Sequence, residues 1–123
     1  MTSKRYTVEL GFGVDLHGEN MTEAACRAVK DAVSRSCLCG LVEILGLTDP
    51  NRILVDIVIA CPKPDEVDLE LVRSVAPIGR TTARAINGGM EVLGLCVPSF
   101  GPNCDKIVVA NAALTVNVLD EEG

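Results

Sequence analysis

A chain of 123 residues is long enough for one domain with its own hydrophobic core. Hydrophobic residues make up 48% of the chain and aromatic residues only 2%, so Val, Ile, Leu and Ala must build that core. The net charge of −6 and the scattering of the 11 basic residues argue against binding to nucleic acid or to an anionic membrane surface.

The first predicted element is a strand over residues 6–12, where apolar and polar residues alternate. No apolar run is long enough for a transmembrane helix, and the N-terminus leads into this strand rather than into the apolar core of a signal peptide. We therefore expect one cytoplasmic domain over residues 1–123. So much apolar surface on a short chain also indicates that part of it is buried between identical subunits.

A helix is expected to follow the glycine-rich segment after this strand. Asn20 is a plausible N-cap, because Glu23 stands three positions later and alanines then recur at helical spacing. Residues 37–47 fit either a helical turn or a short buried strand, and we favour a helix. The Thr-Asp-Pro-Asn sequence at 48–51 predicts a turn.

The second half of the chain predicts five more elements. Residues 53–60 form a strand that Pro62 and Pro64 end. Asp65 can cap a second short helix, which Pro77 and Gly79 close.

Residues 80–86 form the next strand, and Asn87-Gly88-Gly89 predicts the tight turn of a hairpin into a strand over residues 90–96. A loop at 98–103 precedes the last strand, over residues 107–119. One face of that strand is wholly apolar: Val108, Ala110, Ala112, Leu114, Val116 and Val118.

This order of elements predicts an α+β fold with a mixed, mostly antiparallel sheet. Two or three helices cannot cover both faces of five strands, so they should pack on one face and neighbouring subunits should cover the other. A trimeric α+β sandwich satisfies this requirement. Active sites in such assemblies tend to lie at subunit boundaries.

The segment from Gly11 to Gly18 is the strongest candidate for chemistry. It is not a dinucleotide-binding loop, because Leu16 stands where the third glycine is needed and Asp15 would repel the pyrophosphate. It is not a Walker loop either, since no Gly-Lys-Ser or Gly-Lys-Thr occurs in the chain.

Asp15 and His17 remain as the candidate pair. In an extended chain, residues i and i+2 project to the same side, so the carboxylate and the imidazole would converge between Gly13 and Gly18. Two side chains that bind a divalent metal such as zinc, or a general base oriented by a carboxylate, have this arrangement. The alternative is a hydrogen-bonded turn with no chemistry.

A metal site would need more ligands than this pair supplies. His17 is the only histidine, so further ligands must come from other side chains or from a second subunit. The candidates within the chain are Cys37, Cys39, Cys61, Glu43 and Asp56.

Other polar candidates are more often structural. Lys63, Arg80 and Arg84 could bind an anion, although each is more commonly a solvated charge. Asn111 could orient a ligand, although an amide in an apolar strand is more often a hydrogen-bonded core residue. Most of the six cysteines are expected to be small buried residues, and the Cys37-x-Cys39 spacing is a weak signal of metal binding.

The pattern Gly11-x-Gly13-x-Asp15-x-His17-Gly18 resembles the signature of a family of bacterial and plant proteins of unknown function. The resemblance extends over nearly the whole chain, including residues 61–68, the Gly88-Gly89-Met90 turn and residues 108–113. It implies membership of a conserved hypothetical family and no established activity.

A more distant resemblance is to methylerythritol cyclodiphosphate synthase, a trimeric enzyme with a Gly-x-Asp-x-His segment after its first strand. Carried over, Gly13, Asp15 and His17 match it, and the resemblance implies that Asp15 and His17 are zinc ligands between subunits. The resemblance also implies a trimeric fold of the chorismate-mutase-like or cyclodiphosphate-synthase-like kind. The third ligand of that enzyme, a histidine on a later helix, has no counterpart here.

Two functions therefore follow as hypotheses. The first is a metal-assisted hydrolase or lyase that acts on a small polar metabolite, with His17 as ligand or general acid/base and Asp15 as ligand or orienting carboxylate. Gly11, Gly13, Gly18 and Asn111 would then line the ligand site. The second is a non-catalytic oligomer that binds a small molecule at its subunit boundaries.

Overall fold

The computed structural model describes residues 2–95, 97, 99 and 105–120. Five strands and three helices follow one another in the order β1 (Ser3–Asp15), α1 (Met21–Val33), α2 (Gly40–Glu43), β2 (Ile53–Cys61), α3 (Leu69–Val75), β3 (Arg80–Asn87), β4 (Met90–Leu93) and β5 (Lys106–Leu119). The expected loop at 98–103 lies outside the described residues, except for Ser99. No helix in the described ranges is long and apolar enough to cross a membrane.

The strands form one mixed sheet in the order β1-β5-β2-β3, and β4 pairs with β5. The pairs of β5 with β1, β2 and β4 are antiparallel, while β2 and β3 are parallel. The long last strand therefore lies between β1 and β2. The prediction of an α+β fold with a mixed, mostly antiparallel sheet is confirmed for the described residues.

The predicted hairpin after β3 is wrong. β4 does not pair with β3 but continues beside β5, at Lys106 to Val109, where the pairing of β2 ends. The chain crosses the end of β2 here, and the Gly88 N–H donates to the Cys61 carbonyl oxygen. Gly89 has a φ of +65° and passes so close to backbone atoms of β2 and β5 that no side chain fits. The glycines thus allow a sideways step between strands rather than a reversal.

The first helix begins and packs as its sequence predicts. The Asn20 side chain accepts a hydrogen bond from the Glu23 N–H at 3.0 Å, which satisfies one of the free donors of the first turn. Small residues of α1 then bury one face against β1 and β5. The buried residues of this helix are Met21, Ala24, Ala25, Ala28, Val29 and Ala32.

The third helix begins later than predicted. Asp68, not Asp65, is its N-cap, and its carboxylate accepts from Glu70 N and Leu71 N at 3.1 and 3.3 Å. Asp65 lies in a short 3-10 turn, Pro64–Glu66, because Pro64 fixes the backbone there. The ambiguous segment 37–47 contains a helix, α2, of four residues.

The two longer helices, α1 and α3, pack on one face of the sheet. α1 packs on β1 and β5, α3 packs on β3, and the two helices contact each other, so they lie on the same side. The apolar face of β5 that the sequence indicated is the face beneath them, and its residues from Val108 to Val116 are buried. On the opposite face, which we call the open face, no helix or strand of the described residues packs.

Candidate functional site

Gly11 and Gly13 are contact points between β1 and α1. A Cβ atom added to Gly11 would lie 2.5 Å from Ala32 N and 2.9 Å from Ala32 Cα, and closer still to the Ala28 carbonyl oxygen. One added to Gly13 would meet the backbone of Ala24 and Ala28 in the same way. The two glycines let the helix backbone approach the strand, and both face the helix.

Asp15 holds the loop that joins β1 to α1. Its Oδ2 atom accepts hydrogen bonds from Gly18 N and Asn20 N, both at 3.0 Å. Its Oδ1 atom lies 3.4 Å from an Arg27 guanidinium nitrogen, and the side chain is 14% exposed. Three donors therefore surround this carboxylate and orient it toward its own loop.

His17 lies in a bend formed by residues 16–18 and is half-buried. The chain is not extended there, so the alternation that would place the imidazole beside the Asp15 carboxylate does not operate. Within the described residues, no group of three or more His, Cys, Asp and Glu side chains is arranged to hold a metal ion.

Side chains of α1 cover part of the free edge of β1. The Phe12 N–H donates to Asp31 Oδ2 at 3.0 Å, and Arg27 donates to the Val14 carbonyl oxygen at 2.6 Å. The bond from Phe12, together with the Arg35 guanidinium, lowers the pKa of the Asp31 carboxyl. This part of the edge cannot accept another strand, because its outward backbone groups are already bonded.

The open face divides into an apolar part and a polar part. On β1, Val8, Leu10 and Phe12 are 47%, 63% and 55% exposed. Met90 and Val92 of β4 continue the apolar surface at the same end of the sheet, where the pairing places them beside Val109 and Ile107. Exposed apolar surface of this kind is typical of sites that contact another molecule.

The polar part surrounds a hollow of about 750 Å³. Asp56 stands at its centre, because the strand register places it between Thr115 of β5 and Thr82 of β3. Thr82 Oγ1 donates to Asp56 Oδ1 at 2.6 Å, and Asn117 Nδ2 lies 3.4 Å from Asp56 Oδ2.

Two arginines, Arg5 and Arg84, also line this hollow. They lie on β1 and β3, the two outer strands of the sheet.

The residues singled out in the sequence thus fall in different places. Asn111 is exposed on the open face, between Phe12 and Ala60, and outside the hollow lining. Arg84, an anion-binding candidate, lines the hollow, and so does Asp56, which was considered only as a metal ligand. Sequence reasoning missed Arg5, which stands just before the strand predicted over residues 6–12 and lies inside the observed strand.

The cysteines are less buried than expected. Among the four that the structure describes, Cys61 is buried, Cys26 is half-buried, and Cys37 and Cys39 are exposed. Burial raises the pKa of the Cys61 thiol, which favours its neutral form. Cys96 and Cys104 lie outside the described residues.

Two comparisons with known proteins found matches that extend over nearly the whole chain. A family model described as "Conserved hypothetical protein (Lin0512_fam)" matches residues 5–116. The crystal structure of an FtsZ-like protein of unknown function from Nostoc punctiforme is similar, with 38% identity and a TM-score of 0.87 over 98% of this chain and 99% of that one. No curated protein matches the chain.

Proposed function

We propose that this chain, which belongs to the Lin0512 family of conserved hypothetical proteins, is an oligomeric protein that binds a small molecule without transforming it. Its subunits associate through the apolar part of the open face, and the ligand lies at the subunit boundary. The observation that carries the proposal is the row of exposed apolar side chains on β1, formed by Val8, Leu10 and Phe12.

The apolar row fits a second copy of this chain. Burying an apolar side chain of this size stabilises an assembly by about 1.5–3 kcal/mol relative to leaving it exposed. Because Asp31 and Arg27 occupy the edge of β1 at Phe12 and Val14, association by strand pairing is blocked there, and contact through the face is favoured. A trimer is the form we propose, after the cyclodiphosphate synthase that residues 13–17 resemble.

A metal-assisted hydrolase or lyase at Asp15 and His17 is the second candidate. The half-burial of the only histidine favours it, because a partly enclosed imidazole is held in place for a ligand or a proton. The three donors around Asp15 count against it, since a carboxylate that anchors a loop is less available to a metal. Further ligands would have to come from a second subunit.

Two measurements separate these candidates. A thermal-shift screen of small metabolites should raise the unfolding temperature with one chemical class, and the purified protein should contain less than about a tenth of an equivalent of metal and turn nothing over. Stoichiometric zinc that His17→Ala removes would favour the enzyme. Sedimentation that shows only a monomer up to about 100 μM would refute the oligomer.

A further inference from the structure

Arg5 and Arg84 differ from the other arginines of the chain in having no partner among the described residues. Five arginines are engaged: Arg27, Arg35 and Arg73 pair with carboxylates, while Arg52 and Arg80 donate to backbone carbonyl oxygens. Neither Arg5 nor Arg84 makes an ion pair or hydrogen bond to another residue of the described ranges. Both line the same hollow.

The strand register determines the distance between Arg5 and Arg84. Arg5 lies beside Asn117 on β5, and Arg84 lies beside Val58 on β2. The register places Arg5 level with Arg80 on β3, three strand spacings or about 14 Å away at about 4.8 Å per strand. Arg84 lies four residues further along β3, about 13 Å at about 3.3 Å per residue, so the Cα atoms of Arg5 and Arg84 are about 20 Å apart. Both residues border the hollow that lies between them, which leaves room for a molecule of a few carbon atoms.

We infer that this hollow binds a small dianionic metabolite that carries a hydroxyl or amino group, with one anionic group on Arg5 and the other on Arg84. Guanidinium groups bind carboxylate and phosphate through paired, charge-assisted hydrogen bonds. Asp56 can accept a hydrogen bond from the central hydroxyl or amino group, since Thr82 and Asn117 already hold its carboxylate in position. This inference rests on the proposed function and names its ligand class.

Charge and size both support this ligand class. The chain as a whole carries a net charge of −6, whereas the hollow has two guanidinium groups and one carboxylate. An anion is therefore attracted to the hollow and repelled by the rest of the surface. The volume of about 750 Å³ falls within the range of about 300–1,000 Å³ that is usual for small-molecule sites.

The test is calorimetric titration with L-malate, which has two carboxylates and a hydroxyl, with succinate, which lacks the hydroxyl, and with acetate. All titrations are made at constant ionic strength. We expect malate to bind more tightly than succinate and acetate to bind weakest. Arg5→Gln and Arg84→Gln should each weaken malate binding at least tenfold, because each removes a charge-assisted pair.

Two further variants sharpen the result. Lys30→Gln makes the same change in net charge on an exposed part of α1 and should stay within twofold of the wild type. Asp56→Asn should strengthen succinate binding, since a negative charge is removed, and should abolish the preference for malate. Arginine variants that bind malate like the wild type, or a Lys30 variant that loses as much affinity as they do, would overturn the inference.

Sedimentation of the same samples keeps the two proposals apart. An oligomer that binds none of the three acids would overturn the dianion site and leave the assembly standing. A monomer whose malate binding depends on Arg5 and Arg84 would overturn the assembly and leave the site standing. Thermal unfolding of each variant should match that of the wild type, because both arginines are exposed.

Discussion

Replacing Gly11 by alanine tests the close contact between β1 and α1. The added Cβ atom would lie 2.5 Å from Ala32 N, whereas non-bonded heavy atoms reach their optimal separation at about 3.5–4.0 Å. The helix backbone cannot yield locally, so α1 must withdraw by about 1 Å. That withdrawal loosens the buried contacts of its alanine face, and overpacking of this kind costs about 1–3 kcal/mol.

The net loss should be about 1.3 kcal/mol, because replacing glycine also restricts the unfolded chain and returns about 0.4–1 kcal/mol. For a domain of this size the corresponding fall in melting temperature is about 5 °C. Urea unfolding followed by circular dichroism measures the free energy directly. Gly18→Ala is the matched control, since its Cβ atom meets only Asp15 Oδ2, at 3.1 Å, and Asn20 Cβ. Equal stability of the Gly11 and Gly18 variants would refute the account of the contact.

Three further outcomes are expected. Asp68→Ala should lower the free energy of unfolding by about 1 kcal/mol through loss of the α3 cap, whereas Asp65→Ala should change it little; the reverse order in urea unfolding would contradict the assigned cap. Because the pKa of Asp31 is lowered in the folded protein, its contribution to stability is present above the unfolded-state pKa of about 3.9 and is lost as the pH falls through the folded-state pKa. The free energy of unfolding of Asp31→Asn, measured as the pH is lowered, should lack this part of the decrease. A variant with the same acid dependence as the wild type would contradict this role of Asp31. Alkylation read by peptide mass spectrometry should label exposed Cys37 rapidly and buried Cys61 only on unfolding; equal rates in the native protein would contradict the burial.

Local signals predicted the elements well where one periodicity dominated. The Asn20 cap and the alanine face of α1 depend on residues three or four positions apart, so the sequence alone shows them. The apolar face of β5 was equally clear, because it continues over more than ten residues. The position of β5 between β1 and β2 depends on pairing between residues that are far apart in the sequence, so no local pattern predicts it.

The errors arose where one short pattern fits two geometries. Gly88-Gly89 is typical of a hairpin turn, yet here it lets the chain step past the end of β2, and the difference depends on backbone atoms of two other strands. Asp65 and Asp68 are both good caps by type, and Pro64 decides between them by fixing a 3-10 turn first.

Local sequence patterns were also insufficient to predict the candidate site. Gly11 and Gly13 are typical of a ligand-binding loop, but the alanines opposite them on α1 make them packing residues. Arg5, Asp56 and Arg84 are far apart in the chain, and only the order of the strands brings them around one hollow.

A crystal structure of the assembled protein is the most direct measurement of whether the open face is the functional surface. We expect Leu10, Phe12 and Met90 to lose their exposure against another subunit, while Arg5 and Arg84 line a hollow at the boundary. Subunits that meet elsewhere and leave Leu10 and Phe12 in solvent would contradict it.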